Sequence, residues 1–195
     1  ETIWENLLSE AIEHKHFQHT QAYLAKLFKY STSTVNLALV KPTAIGAVRK
    51  SGKFFIVADV QKLLYLWATV RNPEKDIIYS TYSTLPVQEL EGLAPPSAIY
   101  GGYSAARQIL GEPPADYSTL HLYLDKIDLE IAKARYPVSK TGLTQVIIYH
   151  KPLYLPTPRT YTSLPHTFVD IWNMRDWYAR DFTGALEDKI NALLS

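Results

Sequence analysis

Apolar residues in the first seventy positions recur at the three- and four-residue spacing of helices. One helical face is formed by six apolar residues near the start: Ile3, Trp4, Leu7, Leu8, Ala11 and Ile12. Thr20 is a suitable N-cap for a second, shorter helix. Its apolar face consists of Leu24, Leu27 and Phe28. A third helix is predicted after the polar turn at 30–34, with Val35, Ala38 and Leu39 on one face. Two short helices joined by a tight turn make a helix-turn-helix unit.

A β-hairpin is predicted directly after these helices. Residues 45–57 contain two apolar-rich strands on either side of Ser51 and Gly52, which favour a turn. Gly46 is placed to end the preceding helix in a left-handed conformation. Pro42 removes a backbone donor near that end, so the helix either kinks there or stops near Lys41. A basic hairpin after a helix-turn-helix is typical of a wing.

A change of character near Pro73 divides the chain into two predicted domains, 1–72 and 73–195. The first ends with an apolar helical stripe, which suits core packing or, alternatively, the seam of a homodimer. The stripe consists of Val60, Leu63, Leu64, Trp67 and Ala68.

The second domain mixes strands with helices. Strands are predicted at 77–82, 120–124 and 143–150, with a further strand or edge at 168–172 after a proline-rich connection at 151–165. A helix over 97–110 is interrupted or begun at Gly101-Gly102, and a last helix starts near Asp176. This last helix is expected to bury Tyr178, Phe182, Ala185, Leu186, Ile190 and Leu193. The fold class is therefore predicted to be α+β.

Charge is distributed unevenly along the chain, although the net charge is only +1. No Asp or Glu occurs from His14 to Ala58. The same segment carries seven cations: Lys15, Lys26, Lys29, Lys41, Arg49, Lys50 and Lys53. Local clusters of charge decide affinity for polyanions, so this segment favours contact with double-stranded DNA. A lysine-rich hairpin that is merely solvated, or a protein-protein module, is the alternative interpretation.

Base contacts are predicted near the start of the third helix, from Thr32, Ser33 and Asn36, because such a helix lies in the major groove. Asn36 is the best candidate for a bidentate contact to adenine. Phosphate contacts are predicted for Thr20, Gln21, Lys41, Arg49, Lys50 and Lys53.

Several classes of site are excluded or disfavoured. The absence of cysteine excludes disulfides and thiolate ligands. The spacing of His14, His16 and His19 does not bring them to one helical face, and no cysteine or neighbouring carboxylate completes a set, so no metal is expected. The longest apolar stretch, 63–70, is shorter than a membrane span, and the start lacks a signal-peptide pattern. A soluble cytoplasmic protein without a cofactor is therefore expected.

The stretch Thr20-Gln-Ala-Tyr-Leu-Ala-Lys-Leu-Phe-Lys-Tyr-Ser-Thr-Ser-Thr-Val-Asn-Leu-Ala-Leu, closed by Ile45-Gly-Ala-Val, resembles the winged helix-turn-helix domains of prokaryotic transcription regulators. The resemblance covers about residues 18–57 and departs from the usual pattern at Phe28-Lys29-Tyr30, where a glycine often makes the turn. It implies a DNA-binding transcription regulator rather than an enzyme.

The segment Ala98-Ile-Tyr-Gly-Gly-Tyr-Ser-Ala-Ala and the strand after it resemble part of a minimal nucleotidyltransferase. Such enzymes hold magnesium with two alternating carboxylates on that strand, where this chain has Thr119, His121 and Tyr123. The resemblance therefore implies a non-catalytic copy. An enzyme that handles nucleotide or phosphate with Ser104 and Arg107 is the alternative, and close packing of the helix start is the other explanation for the glycines.

Together with Val169-Asp-Ile-Trp and Trp177-Tyr-Ala-Arg-Asp-Phe, these features resemble the AbiEi family of antitoxins and related regulators. That resemblance implies autorepression of an operon and a nucleotidyltransferase-like toxin as a protein partner. The aromatic residues Trp172, Trp177 and Tyr178 suit either a core or a partner surface.

Overall fold

A computed structural model describes residues 1–152, 155 and 160–195. The chain divides into two compact units, one of Glu1–Arg71 with Ile190–Ser195 and one of Asn72–Lys189. The last six residues thus belong to the first unit, whereas the sequence placed them in the second domain. The α+β class is confirmed, with helices and two sheets in the described part. Part of the predicted connection at 151–165, namely 153–154 and 156–159, lies outside the described residues. No helix among the described residues is long and apolar enough to cross a bilayer.

The first unit contains four helices and a small antiparallel sheet. In chain order these are α1 (Thr2–His14), β1 (Gln18–His19), α2 (Gln21–Phe28), α3 (Thr32–Ala44), β2 (Val48–Ser51), β3 (Phe54–Val57) and α4 (Val60–Val70), with strand order β1-β3-β2. The predicted N-cap Thr20 is confirmed, and α3 begins within the predicted turn at 30–34, with Ser31 as its cap. Thr20 Oγ1 accepts a hydrogen bond from the Tyr23 amide at 3.1 Å, and Ser31 Oγ accepts one from the Thr34 amide at 3.0 Å.

Apolar stripes of α1 and α4 form much of the core of this unit. The six predicted residues of α1 are buried, and so are all five of the α4 stripe. Core packing therefore accounts for the α4 stripe, and a dimer would need another surface. α2 differs from the prediction, because Leu24 is buried whereas Leu27 is 46% exposed and Phe28 is half-buried.

The turn between α2 and α3 is made without glycine. Lys29 adopts φ 55°, ψ 37°, a left-handed conformation that costs a non-glycine residue about 1 kcal/mol. The amide of Tyr30 donates to the Ala25 carbonyl at 2.9 Å, which closes the end of α2 in the manner of a Schellman motif. Lysine thus supplies the turn geometry for which glycine is usual.

Pro42 lies inside α3, which continues to Ala44 rather than stopping near Lys41. Proline has no amide hydrogen, so it cannot donate to the carbonyl of Ala38, four residues earlier. The Trp4 indole of α1 donates to that carbonyl at 2.8 Å instead. A tertiary hydrogen bond therefore replaces the missing helical one. Gly46 follows the end of the helix with φ 76°, as predicted.

Replacing Trp4 with Phe is expected to lower the free energy of unfolding by about 1–3 kcal/mol, because the Ala38 carbonyl loses its donor. In a Pro42→Ala background the new amide can donate to Ala38 within the helix, so the cost of Trp4→Phe should shrink by about 1 kcal/mol. Urea unfolding of the four proteins of this cycle measures the coupling. An equal cost in both backgrounds would contradict the proposed replacement of the hydrogen bond.

The second unit contains a four-stranded mixed sheet with helices. Its elements are β4 (Ile77–Ser83), α5 (Val87–Gly92), β5 (Ile99–Gly101), α6 (Gly102–Leu110), β6 (Thr119–Leu124), α7 (Leu129–Arg135), β7 (Thr144–His150) and α8 (Leu164–Trp172), with 3-10 turns at Pro73–Asp76 and Lys126–Asp128. The last helix, α9 (Ala179–Leu194), belongs to this unit up to Lys189. The strand order is β4-β7-β6-β5. β6 and β7 are parallel, and the other neighbours are antiparallel.

The prediction of a strand or edge at 168–172 is wrong, because these residues belong to α8. Ser163 caps this helix by accepting from the His166 amide at 3.4 Å, and Pro165 lies in its first turn. Every residue from 164 to 171 is buried, so the apolar run carries no periodicity that separates a helix from a strand.

Of the two alternatives for 97–110, a helix begun at Gly101-Gly102 is confirmed, because α6 starts at Gly102 and the residues before it form β5. The last helix starts at Ala179 rather than Asp176. Of its predicted apolar residues, Leu193 is 37% exposed and Ala185 is half-buried, whereas the others are buried.

Register places three rows of side chains on one face of the sheet. Thr119 pairs with Gln145 in the first row, His121 pairs with Gly101 and Ile147 in the second, and Tyr123 pairs with Ile99 and Tyr149 in the third. Side chains opposite one another in neighbouring strands share a face. α6 packs against β6, and α8 packs against α6. Polar residues of β6 thus lie beneath helices.

Candidate nucleic-acid interface

Three elements of the first unit meet at the side chain of Asn36. Its Oδ1 accepts a hydrogen bond from Lys50 Nζ at 3.0 Å and one from Gln21 Nε2 at 3.5 Å. Gln21 opens α2, Asn36 lies on α3 and Lys50 lies on β2. Both hydrogen bonds are at the surface of the unit. The fold thus joins residues that are separated by up to 29 positions into one polar site.

A groove of about 530 Å³ lies beside this site. It is lined by Thr20, Gln21, Ala22, Thr32, Lys50, Gly52, Lys53, Phe54 and Phe55. Five of the nine predicted DNA-contact residues therefore line one groove, and Asn36 is hydrogen-bonded to two of them. The hairpin turn that forms one wall is Gly52-Lys53, since Ser51 pairs with Phe54, and Gly52 has φ 60°. The turn is one residue later than predicted.

Arg49 and Lys50 lie on opposite faces of the small sheet. Lys50 pairs with Phe55, which is buried and pairs with His19, so Lys50 follows the inner face toward α3. Arg49 pairs with Ile56 on the other face. Alternation of side chains along a strand explains the separation. The predicted basic cluster is therefore split between two directions.

The exposed side of α3 carries both polar and apolar groups. Thr32, Ser33 and Asn36 are exposed, as the sequence predicted for base-reading residues. Leu37 is 73% exposed and Val40 is 50% exposed on the same helix. Lys41 is also exposed, but it follows Asn36 by five residues, which is about 140° around the helix axis. Lys41 thus belongs to a different edge of the helix.

Positive charge dominates the surface contributed by residues 14–58. All seven cations of this segment are exposed. Within the described ranges, none of them forms an ion pair with a carboxylate. The reason is local, because the segment itself contains no acidic residue. These charges remain available for an anionic partner.

Two of the three histidines considered as metal ligands, His16 and His19, contact each other after the end of α1. His16 Nδ1 lies 3.1 Å from Glu10 Oε2, a neighbouring carboxylate that the sequence argument had not counted. The rings of His16 and His19 are 4.6 Å apart, and burial lowers the pKa of His19. In the described part of the chain, no group of three or more His, Asp or Glu side chains is arranged to hold a metal ion.

The glycine pair of the second unit is required by close packing. A Cβ atom on Gly101 would lie 2.7 Å from Tyr123 Cε2, and one on Gly102 would lie 2.7 Å from His121 Cδ2. Arg107 Nη2 is 2.5 Å from Glu91 Oε2, while Tyr117 donates to Glu91 Oε1 at 2.7 Å. The guanidinium that the enzyme alternative assigns to phosphate is therefore already paired with a carboxylate.

A buried polar network lies under α8. The Tyr123 hydroxyl donates to Asp170, and His166 Nε2 is 3.3 Å from both the Tyr123 hydroxyl and Asp170 Oδ2. His121 Nδ1 is hydrogen-bonded to the Tyr149 hydroxyl at 3.0 Å. This pair was not predicted, because Asp170 fell in the predicted strand or edge at 168–172 and His166 lay just before it. Their four-residue spacing, which brings side chains together on a helix, was the available signal.

Acidification is expected to destabilise the second unit through His121. Burial lowers the pKa of His121 from 6.5 to about 4, although Asp170 and Asp176 oppose the shift. Between these two values only the unfolded chain takes up the proton, so the free energy of unfolding falls as pH decreases. The full loss is about 3 kcal/mol.

Urea titrations at several pH values can measure this contribution. His121→Asn should flatten the pH dependence between about pH 6.5 and 4, whereas His150→Asn, at an exposed position, should leave it unchanged. The titration of carboxylates is common to all three proteins and cancels in the comparison. Parallel curves for the parent protein and His121→Asn would show that His121 does not carry the effect.

No family model, curated protein or solved structure matches the chain.

Proposed function

We propose that the chain is a DNA-binding transcription regulator whose first unit is a winged helix-turn-helix. In this proposal α3 lies in the major groove, and the β2–β3 hairpin is the wing that follows the DNA backbone. The observation that carries the proposal is the junction of α2, α3 and β2 at Asn36, beside a groove lined by Lys50 and Lys53. A helix-turn-helix that reads DNA needs these elements on one surface.

Charge supports DNA as the partner. Each lysine or arginine that neutralises a phosphate releases condensed counterions, which favours binding and makes it dependent on salt. The seven exposed cations of residues 14–58 have no acidic neighbour within their own segment. Lys50 and Lys53 line the groove, and Arg49 offers a contact from the other face of the hairpin.

Asn36 is the proposed reader of an adenine. A bidentate contact requires its Oδ1 to accept from the adenine amino group and its Nδ2 to donate to N7. In the free chain Oδ1 already accepts from Lys50 and Gln21. The Gln21 bond, at 3.5 Å, is the weaker one and yields first. Leu37 and Val40 on the same helix suit contact with thymine methyl groups.

Replacing Asn36 with Ala is expected to weaken specific binding by about 1–3 kcal/mol, or roughly 10- to 100-fold, because one base contact is lost. Binding to random duplex and the dependence on salt should stay the same, since no phosphate contact changes. Fluorescence anisotropy on a duplex selected from a random library measures specific binding, and the same measurement on random duplex gives the unspecific part. Asn72→Ala, at an exposed residue of the second unit, is the control. Equal losses on both duplexes would contradict base reading by Asn36.

The resemblance to AbiEi antitoxins extends the proposal to a particular regulator. It implies that the chain represses its own operon and opposes a nucleotidyltransferase-like toxin through the second unit. Binding to the DNA upstream of its own gene tests the first part. Rescue of growth when the chain is expressed together with the product of the neighbouring gene tests the second. A pair of half-sites in the bound DNA would require a homodimer, which sedimentation detects.

Exposed apolar residues on α3 favour a second candidate function, a protein-interaction module without DNA contact. Leu37 and Val40 would then meet a protein groove rather than thymine. An electrophoretic shift assay on random duplex at low salt separates the two candidates. A regulator of the proposed kind binds such DNA weakly through phosphates, whereas an interaction module does not bind it.

A further inference from the structure

A cavity of about 430 Å³ opens on one face of the sheet within the second unit. Pockets for small ligands are commonly of this size. Strands β4, β6 and β7 supply its floor, and the 3-10 turn at Pro73–Asp76 and the segment after α8 supply its walls. The lining consists of Pro73, Glu74, Ile77, Thr119, His121, Gln145, Ile147, Tyr149, Asn173, Met174, Arg175 and Asp176. The lining residues all belong to the second unit, whereas the residues of the proposed DNA interface all belong to the first.

The floor of this cavity contains polar groups that are deeply buried. His121 is 2% exposed, and among the described residues none offers a hydrogen-bond partner to its Nε2. Thr119 and Gln145 are register partners one row away. Burial lowers the pKa of His121 to about 4, so the ring is neutral at pH 7 and Nε2 can donate or accept according to its tautomer. A buried polar atom without a partner is costly, and a ligand can satisfy it.

The shape of the floor favours a flat ligand. The rings of His121 and Tyr149 are within 10° of parallel, with centroids 5.8 Å apart. Ile147 lies beside His121 in the sheet, and Ile77 and Met174 also line the cavity. Apolar side chains next to hydroxyl, amide and imidazole groups suit a ring that has apolar faces and a polar edge.

The charges around the cavity disfavour phosphate. Glu74 and Asp176 contribute two carboxylates, and Arg175 contributes the one cation of the lining. Arg175 Nη2 lies 3.7 Å from Glu74 Oε1, while Asp176 Oδ2 accepts from the Tyr103 hydroxyl at 2.7 Å. A phosphate group would meet more negative than positive charge.

We propose that this cavity binds a small uncharged molecule with a flat, hydrogen-bonding ring, and that its chemical class is that of a nucleoside without phosphate. His121, Gln145 and Thr119 provide the hydrogen bonds to the ring edge. Glu74 and Asp176 exclude the phosphorylated forms. The site is independent of the proposed DNA-binding function, because it can be filled in the absence of DNA.

The test is a titration of the full chain with adenosine, guanosine, cytidine and uridine. Calorimetry or ligand-observed NMR measures the binding of each nucleoside. At least one nucleoside should bind with a dissociation constant below about 1 mM, and at least about tenfold more tightly than its monophosphate. Failure of all four to bind at that concentration would overturn the proposal. So would tighter binding of a monophosphate, or of the diamine putrescine, since either would assign the site to a charged ligand.

Substitutions of the cavity lining test whether the nucleoside binds there. Gln145→Leu and His121→Phe should each weaken nucleoside binding about tenfold or more, because a hydrogen bond to the ring is lost. Gln145 is half-buried, so its variant stays informative if His121→Phe does not fold. Glu74→Gln should raise the affinity for the monophosphate about two- to fivefold, whereas Glu130→Gln on α7 should not. Unchanged nucleoside binding by folded Gln145→Leu would place the ligand elsewhere and overturn the assignment.

Discussion

Reversal of three charges on the β2–β3 hairpin, with Arg49, Lys50 and Lys53 all changed to Glu, is expected to weaken binding to any DNA duplex about 100-fold or more. Phosphate contacts are replaced by repulsion, so the loss does not depend on base sequence. The slope of log K against log salt should fall by about one for each phosphate contact removed. Anisotropy measurements on random and selected duplexes over a range of salt concentrations give both quantities.

Single variants should separate the two faces of the hairpin. Lys50 touches Asn36 and lines the groove, whereas Arg49 lies on the opposite face of the sheet. Lys50→Glu is therefore expected to cost more affinity than Arg49→Glu. The opposite order would mean that DNA passes over the outer face of the hairpin.

A matched control exists in the second unit. Lys126, Lys140 and Arg180 are exposed, and changing all three to Glu alters the net charge by the same amount as the hairpin variant. This control should reduce DNA affinity far less, because its three residues belong to no proposed phosphate contact and salt screens charges outside the interface. Equal losses from both triple variants would show that total charge rather than the hairpin governs binding. No loss from the hairpin variant would remove the β2–β3 hairpin from the interface.

Replacing Gly102 with Ala is expected to lower the free energy of unfolding of the second unit by about 3 kcal/mol. Two destabilising effects add. The backbone of residue 102 has φ 50°, which strains an alanine, and the new Cβ would lie 2.7 Å from His121 Cδ2 and 2.9 Å from Met174 Cε. The His121 ring is buried and cannot move away without disturbing its bond to Tyr149. Urea unfolding with a probe in the second unit measures the loss.

Gly184→Ala is the matched control for this variant. Gly184 lies inside α9, and a Cβ there would meet nothing within 4 Å. Alanine favours helix over glycine, so this change should stabilise the chain by up to about 1 kcal/mol. Opposite signs for the two glycine variants are therefore expected. A neutral Gly102→Ala would mean that α6 does not approach β6 as closely as described.

Much of the first unit could be predicted from local sequence. Thr20 and Ser31 cap helices because a side-chain oxygen can accept from an amide three residues later, which depends on no distant part of the chain. Gly46 and Gly52 take positive φ values in a helix end and a turn for equally local reasons. The exposed polar residues of α3 followed from helical periodicity alone.

Predictions failed where a segment is buried on every side. All of 164–171 is buried, so hydropathy carried no period, and the 168–172 part of α8 was predicted as a strand or edge. Its pair His166 and Asp170 was missed for the same reason. Pro42 left two outcomes open, and the donor that lets α3 continue is Trp4, which is 38 residues away.

The sequence by itself determined the helices of the first unit, the hairpin and the carboxylate-free basic segment, because capping, turn conformation and charge depend on neighbouring residues. Only the tertiary structure decided which of these residues meet. It joined Gln21, Asn36 and Lys50, turned Arg49 away from them, and placed His121 beside a cavity. The physical reason is that such contacts depend on strand register and helix packing between segments far apart in the chain, which no local pattern encodes.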